Sequence, residues 1–258
     1  MPFAKRTVDE LTIEDAKSFR HVGVYADLEE VLRRAKYPFR VLPDALAGRA
    51  DRALLLNLTF WGADAGGDIL DSDVIPADVV AHAAWHHLAA KALASAGPLS
   101  VEGLFLGEAI ASAFDLYLVG RLLGHAPSST FLESQVPAMA DTTDAAGLSE
   151  DDFEAMLESI AGDPERAFED LRALLFDAAR VLFACRSVEE AADALAAFDD
   201  HRFAPLLHRY ELSNWVLYAR AYGRSEPDER ARAIDASLRA EKEPVEWLVR
   251  QWVTPAIA

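Results

Sequence analysis

From residue 76 onward, apolar positions recur every three to four residues, which is the spacing of one buried helical face. Helices are predicted from Pro76 to about Ser95 and from Ser100 to Gly124, and further helices from residue 149 to the C-terminus. Proline suits the first turn of a helix, and serine side chains cap helix N-termini. The pattern therefore predicts a mainly α protein.

The first 75 residues have a mixed pattern, which predicts a small α/β portion at the N-terminus. Thr12–Asp15 has the form of a capping box that begins a short helix, and Asp27 is predicted to cap a second helix over residues 28–36. Phe39–Leu42 predicts a short strand. Leu54–Trp61 is the clearest predicted strand, because its apolar and polar residues alternate.

The helical pattern is interrupted between residues 127 and 148 by Ser, Thr and Asp residues and two prolines. Such a segment predicts a loop or a domain boundary. The chain is therefore divided into a mixed α/β portion (1–126), this loop or boundary (127–148) and a helical portion (149–258).

Composition limits the classes of partner. The 258 residues are 52% hydrophobic, enough to bury a sizeable core, and carry a formal net charge of −18. This charge argues against nucleic acid and anionic membrane, since both require a basic surface. Residues 101–124 could cross a bilayer by length, but their four charged side chains disfavour that interpretation. A single cysteine, Cys185, excludes a disulfide within the chain, so a reducing, cytoplasmic location is predicted.

Two histidines provide the first candidate for chemistry. His82 and His86 are four residues apart and share one face of a predicted helix, as joint binding of a transition metal requires. On the next predicted helix, which is otherwise nearly all apolar, Glu108 and Asp115 also share a face. A buried carboxylate needs a partner, because an unpaired buried charge is costly. The spacing predicts a cluster of His82, His86 and Glu108, with or without a metal ion; zinc suits such a ligand set.

The order of these residues resembles that in the gluzincin metallopeptidases, the thermolysin-like group. A helix with two histidines four apart is followed by a helix containing Gly107-Glu108-Ala109-Ile110-Ala111-Ser112, and the resemblance covers about residues 50–125. It implies a zincin-like core in which His82, His86 and Glu108 hold one zinc ion. It also implies that the predicted strand before the histidine helix lies beside the substrate.

The chain departs from the family pattern at two positions. The family has a glutamate directly after the first histidine, where it acts as the general base that activates zinc-bound water; this chain has Ala83. The family's acidic residue four positions after the glutamate ligand is Ser112 here. Asp115, nearly one turn further, is predicted to take over its role of orienting a metal-bound imidazole. No catalytic residue is assigned.

Two functions from different classes remain open. One is a metallopeptidase-like protein with zinc at His82, His86 and Glu108, and with low or no peptidase activity because it lacks the usual base. The other is a non-catalytic acidic helical protein that binds a protein or peptide partner or self-associates, with its histidines paired to carboxylates without metal. Metal content of the purified protein would separate them. Oligomeric state stays open.

Overall fold

A computed structural model describes residues 3–59, 68–94 and 99–258. Helices account for 71% of the structure and a small mixed sheet is also present, which confirms the predicted mainly α class. The α-helices are α1 (Ala16–Phe19), α2 (Tyr25–Ala35), α3 (Ala50–Thr59), α4 (Ala77–Leu93), α5 (Val101–Leu123), α6 (Thr130–Ala145), α7 (Glu150–Gly162), α8 (Pro164–Ala184), α9 (Val188–Ala196), α10 (Leu212–Tyr222), α11 (Glu229–Ala240), α12 (Pro244–Leu248) and α13 (Thr254–Ile257). Short 3₁₀ helices cover Val8–Glu10, Asp44–Leu46 and Ala204–Tyr210, and a π-helical turn covers Val249–Val253.

Among the described residues, five short strands form two small sheets in the N-terminal part. They are β1 (Ala4–Arg6), β2 (Thr12–Glu14), β3 (Phe39–Val41), β4 (Ile69–Leu70) and β5 (Val74–Pro76). In the first sheet β3 lies between antiparallel β1 and parallel β4, and in the second β2 pairs in parallel with β5. Because β5 continues directly into α4, its pairing with β2 fixes where the histidine helix begins.

Helix α5 lies at the centre of the core, and α4, α7, α8 and α10 pack against it. Its N-terminus is capped as predicted, since Ser100 Oγ accepts a hydrogen bond from the Gly103 backbone N–H at 2.9 Å. Among the described residues, α5 is the one helix long and apolar enough to cross a membrane by length and composition. Here 89% of its most apolar stretch is buried inside the protein, and an all-apolar surface is what a fully buried helix requires.

The strand predicted over Leu54–Trp61 is wrong. Residues 50–59 form helix α3, and residues 60 and 61 lie outside the described part of the chain. The alternation covered only a few residues, whereas the Ala, Arg and Leu residues from position 50 onward all favour helix. The other strand, predicted over Phe39–Leu42, is confirmed for Phe39–Val41, which forms β3.

The loop predicted over residues 127–148 is also wrong, because Thr130–Ala145 forms helix α6. Pro137, one of the two prolines that favoured a loop, lies inside this helix at an exposed position. Phe131, Leu132 and Met139 of the same helix are buried in the core. Burial of this apolar face outweighs the hydrogen bond that proline removes.

Two predicted helix starts near the N-terminus are displaced. Thr12–Glu14 is strand β2, and α1 begins after Asp15; the capping box of this region lies at Thr7, whose backbone N–H donates to Glu10 at 2.8 Å. Asp27 is in the first turn of α2, which begins at Tyr25.

Candidate functional site

The facing sides of α4 and α5 bring four titratable side chains into one row. Asp115 Oδ2 lies 3.3 Å from His82 Nδ1, and His82 Nε2 lies 3.0 Å from His86 Nε2. The row ends at Glu108, whose Oε1 is 3.6 Å from His86 Nδ1. We call Asp115, His82, His86 and Glu108 the relay. The structure thus brings together the two histidines and both carboxylates that the sequence singled out.

Helix α4 positions the two histidines through its opposite side. Ala83, Ala84 and Trp85 are completely buried in the core, so the face that carries the histidines is the one left partly accessible. The side chains of His82 and His86 are 32% and 28% exposed. Ala83, at the position of the family's general base, is therefore packed in the core, about 100° around the helix from His82.

The zinc ligand set implied by the gluzincin resemblance does not form around one point. A zinc ion shared by the two imidazoles would bind at the facing Nε2 atoms, but Glu108 makes its contact at Nδ1 of His86, the other nitrogen of the ring. Within residues 3–59, 68–94 and 99–258, no group of three or more His, Cys, Asp or Glu side chains is arranged to hold a metal ion. Glu108 and Asp115 instead contact the outer nitrogens of the two rings.

Ser112, the other residue predicted to support a metal-bound histidine, is buried on α5 between Glu108 and Asp115. No hydrogen bond joins it to either imidazole among the described residues. Of the two residues predicted to support a metal-bound histidine, Asp115 is the one that contacts His82.

The environments of the relay residues drive their pKa values apart. Burial lowers the pKa of His82, but the charge of Asp115 and its hydrogen bond outweigh burial and raise the value to about 9. Burial, followed by the charge on His82, lowers the pKa of His86 to about 3. Burial raises the pKa of Glu108 to about 8, although His82 acts in the opposite direction. Near neutral pH, His82 is therefore charged, His86 is neutral and Glu108 holds its proton.

These charge states fix the direction of the hydrogen bonds. Charged His82 donates from Nδ1 to Asp115 and from Nε2 to His86, whose Nε2 must then be the unprotonated acceptor. The proton of neutral His86 consequently lies on Nδ1, facing Glu108. At 3.6 Å this last pair is a polar contact and not a full hydrogen bond.

One end of the relay opens into a cleft of about 390 Å³. His82 and Asp115 lie on one wall, and α3 and the β4–β5 segment form the other. Three further carboxylates line the cleft: Asp68, Asp71 and Asp78. We call this space the acidic cleft. Burial, and next the charge of Asp115, raise the pKa of Asp78 to about 6, and burial raises the pKa of Asp68.

Sequence reasoning missed Asp78, although a signal was present. Asp78, His82 and His86 are spaced by four residues and therefore follow one face of α4. Asp68 comes from the residue before β4 and shows no such spacing, so only the fold reveals its place in the cleft.

Comparisons with protein-family models, with curated proteins and with solved structures found no match for this chain. The gluzincin resemblance therefore stays a prediction.

Proposed function

We propose that the acidic cleft is the acid–base site of an enzyme that acts on a small molecule without a metal ion, with Asp78 as the base and the imidazolium of His82 as the positive charge that stabilises the anion formed. The observation that carries this proposal is geometric. Asp78 and His82 are one turn apart on α4 and line the same cleft, and Asp115 holds the His82 ring from its outer nitrogen.

The pKa values support this assignment of roles. Asp78, with a pKa of about 6, is ionised near neutral pH and can accept a proton, while His82, with a pKa of about 9, carries a positive charge beside it. Two titratable groups whose environments separate their pKa values in one cleft are typical of an acid–base pair. Both groups are in their working forms between about pH 6 and pH 9.

The rest of the relay holds the charged His82 ring in place. Asp115 keeps His82 charged and fixes its ring, as a carboxylate does for a catalytic imidazole. His86 accepts the second N–H of His82 and stays neutral, so it holds the ring without adding a charge. Substrates of this cleft are small, since 390 Å³ lies at the lower end of ordinary small-molecule sites.

The proposal is tested with 5-nitrobenzisoxazole, a small probe whose ring opens when a base removes its carbon-bound proton and the N–O bond breaks. In protein freed of metal with EDTA, Asp78→Asn is expected to reduce the rate by about 10²–10⁴-fold. Asp141→Asn, at an exposed position on α6, is the control and is expected to leave the rate unchanged. Equal rates in wild type and Asp78→Asn would contradict the proposal.

A second candidate is a zinc-binding, metallopeptidase-like protein of low or absent peptidase activity. The favouring observation is the 3.0 Å between the Nε2 atoms of His82 and His86, since two nitrogens bound tetrahedrally to one zinc lie about 3.3 Å apart. Carboxylates at both outer nitrogens also match the usual surroundings of metal-bound histidine. Elemental analysis should then give about one equivalent of zinc, which His86→Ala should lose; equal content in both proteins would exclude this candidate.

The non-catalytic alternative, binding of a protein or peptide partner or self-association, is favoured by apolar side chains left in solvent on α9 and α10. Val188, Leu217 and Tyr222 are 81%, 61% and 66% exposed. Sedimentation of the purified protein tests self-association, since a monomer at all concentrations would remove that form of the alternative.

A further inference from the structure

Helix α3 is attached to the protein separately from the main core. Its buried residue Ala53 packs with Leu42 and Ile69 in a small cluster, and Leu56 lies against the same cluster. The large core around α4, α5 and α8 does not include this cluster. Helix α3 packs mainly against β4, an edge strand of the first sheet. Helix α3, on one wall of the acidic cleft, is therefore held by a different hydrophobic cluster from the one that holds α4.

Two polar bonds connect α3 to the edge of the sheet. Asn57 Nδ2 donates to the backbone oxygen of Ile69 at 2.9 Å, and the Ile69 N–H donates to Asn57 Oδ1 at 2.8 Å. One side chain thus satisfies both backbone groups on the outer side of β4. Breaking this pair of bonds would free α3 from β4 without disturbing a strand-to-strand hydrogen bond.

The segment before α3 contains a residue suited to a hinge. Gly48 has a φ of +73°, and a Cβ there would meet no atom within 4 Å. Glycine adopts this left-handed conformation at no steric cost and passes easily to others. Its open surroundings leave the backbone room to rotate, as hinge residues at element ends require.

A solvent-exposed leucine, Leu54, lies on α3 beside the acidic cleft. Ala50, Ala53 and Asn57 line the cleft, and Leu54, 60% exposed, lies about 40° around the helix from Ala50. A rotation of α3 toward α4 would bring Leu54 over the opposite wall and remove it from water. This gives closure a favourable hydrophobic contribution.

We propose that α3 is a lid that closes over Asp78 and His82, with Gly48 as its hinge and the Asn57–Ile69 bonds as its latch. Closure would exclude water from the acidic cleft, which strengthens every electrostatic interaction inside it. The lid does not depend on the acid–base assignment, because it follows from the packing of α3 and not from the chemistry of the cleft.

The test measures distances between spin labels on a Cys185→Ala background. One pair is Arg52→Cys with Ala90→Cys, which joins an exposed position on the lid to an exposed position on α4 and leaves Leu54 in place; the control pair, Ala90→Cys with Ala233→Cys, joins two helices of the main core. The lid pair is expected to give a broader distance distribution than the control. Asn57→Ala is expected to shift the mean of the lid pair by about 5 Å, half a helix diameter, and to leave the control unchanged.

A narrow lid-pair distribution that Asn57→Ala does not move would overturn the proposal. So would equal broadening of both pairs, which would mean general loosening of the protein. A label at Arg52→Cys that tumbles as on an unfolded chain would show local unfolding of α3 and would also overturn the proposal. These distance measurements do not depend on catalytic turnover, so failure of the lid proposal can be distinguished from failure of the acid–base proposal.

Discussion

Introducing the gluzincin base by Ala83→Glu is expected to destabilise the protein and not to produce a peptidase. Sequence reasoning alone suggests the opposite, because position 83 follows the first histidine as the family's glutamate does. In the structure Ala83 is completely buried in the main core, about 100° around α4 from His82, and it does not line the acidic cleft. A glutamate there would have no access to the acidic cleft.

Two costs add at this position. The longer side chain overpacks the core, at about 1–3 kcal/mol. A buried charge without a partner adds about 3–5 kcal/mol. The sum of about 4–8 kcal/mol is a large part of the 5–15 kcal/mol by which a domain is ordinarily stable. Burial would also raise the pKa of the new carboxyl, as it does for Glu108 on the neighbouring helix.

The pH dependence separates the two costs. A carboxyl with a raised pKa in the folded state binds a proton on folding, so its penalty grows as the pH rises above its unfolded pKa of about 4.3. Urea denaturation followed by circular dichroism should therefore show a larger loss for Ala83→Glu at pH 8 than at pH 5. Ala83→Gln, which adds volume without charge, should show a loss that is equal at both pH values.

Ala90→Glu is the position control, because residue 90 is exposed on the same helix, and it should change the free energy of unfolding by less than about 0.5 kcal/mol. A folded Ala83→Glu protein as stable as wild type, with peptide cleavage that a chelator stops, would refute the reasoning. That result would mean that the side chain at position 83 faces the acidic cleft.

Two further perturbations test the packing and the electrostatics of α5. Gly120→Ala is expected to lower the free energy of unfolding by about 1–3 kcal/mol, because the new Cβ would lie 2.6 Å from the Ile160 carbonyl oxygen; in Gly124→Ala, the control, the Cβ meets no atom within 4 Å. Urea titration measures the free energy of unfolding of both variants, and an equal decrease in Gly120→Ala and Gly124→Ala would contradict the close approach of α5 and α7. Glu108→Gln should make the free energy of unfolding less dependent on pH. A pKa of about 8 for Glu108 means that the wild-type protein takes up a proton on folding, so it loses stability as the pH rises from about 5 to 8. Thermal melts at both pH values measure it, and parallel declines would count against a buried, protonated Glu108.

A helix could be predicted from the sequence where apolar residues recur with helical spacing along its whole length and a capping residue marks its start. Ser100 caps α5 as the pattern indicates, and this helix is where the periodicity predicts it. Helices α3 and α6 could not be predicted in this way. A few alternating residues near Asn57 and a proline at 137 were stronger local signals than the packing that decides their structure.

The members of the relay were predictable from the sequence, but its geometry and the place of Asp78 in the cleft were not. Spacing alone grouped His82, His86 and Glu108, since a carboxylate in an apolar helix needs a polar neighbour. Which ring nitrogen Glu108 faces depends on the separation and rotation of α4 and α5, which no local pattern encodes. The direction of Ala83 was equally hidden, because α4 is apolar on several sides and its sequence does not reveal which side the core covers.

The complete enclosure of α5 has a consequence for synthesis of the chain. Helix α4 precedes α5, whereas α7, α8 and α10, which cover its other sides, are made later. A nascent chain that ends shortly after Gly124 would present a 23-residue apolar helix to water with most of its covering surface still missing. We expect the first half of the protein to aggregate or to engage chaperones when it is expressed without residues 150–222. Native folding would then begin only after α8 has left the ribosome.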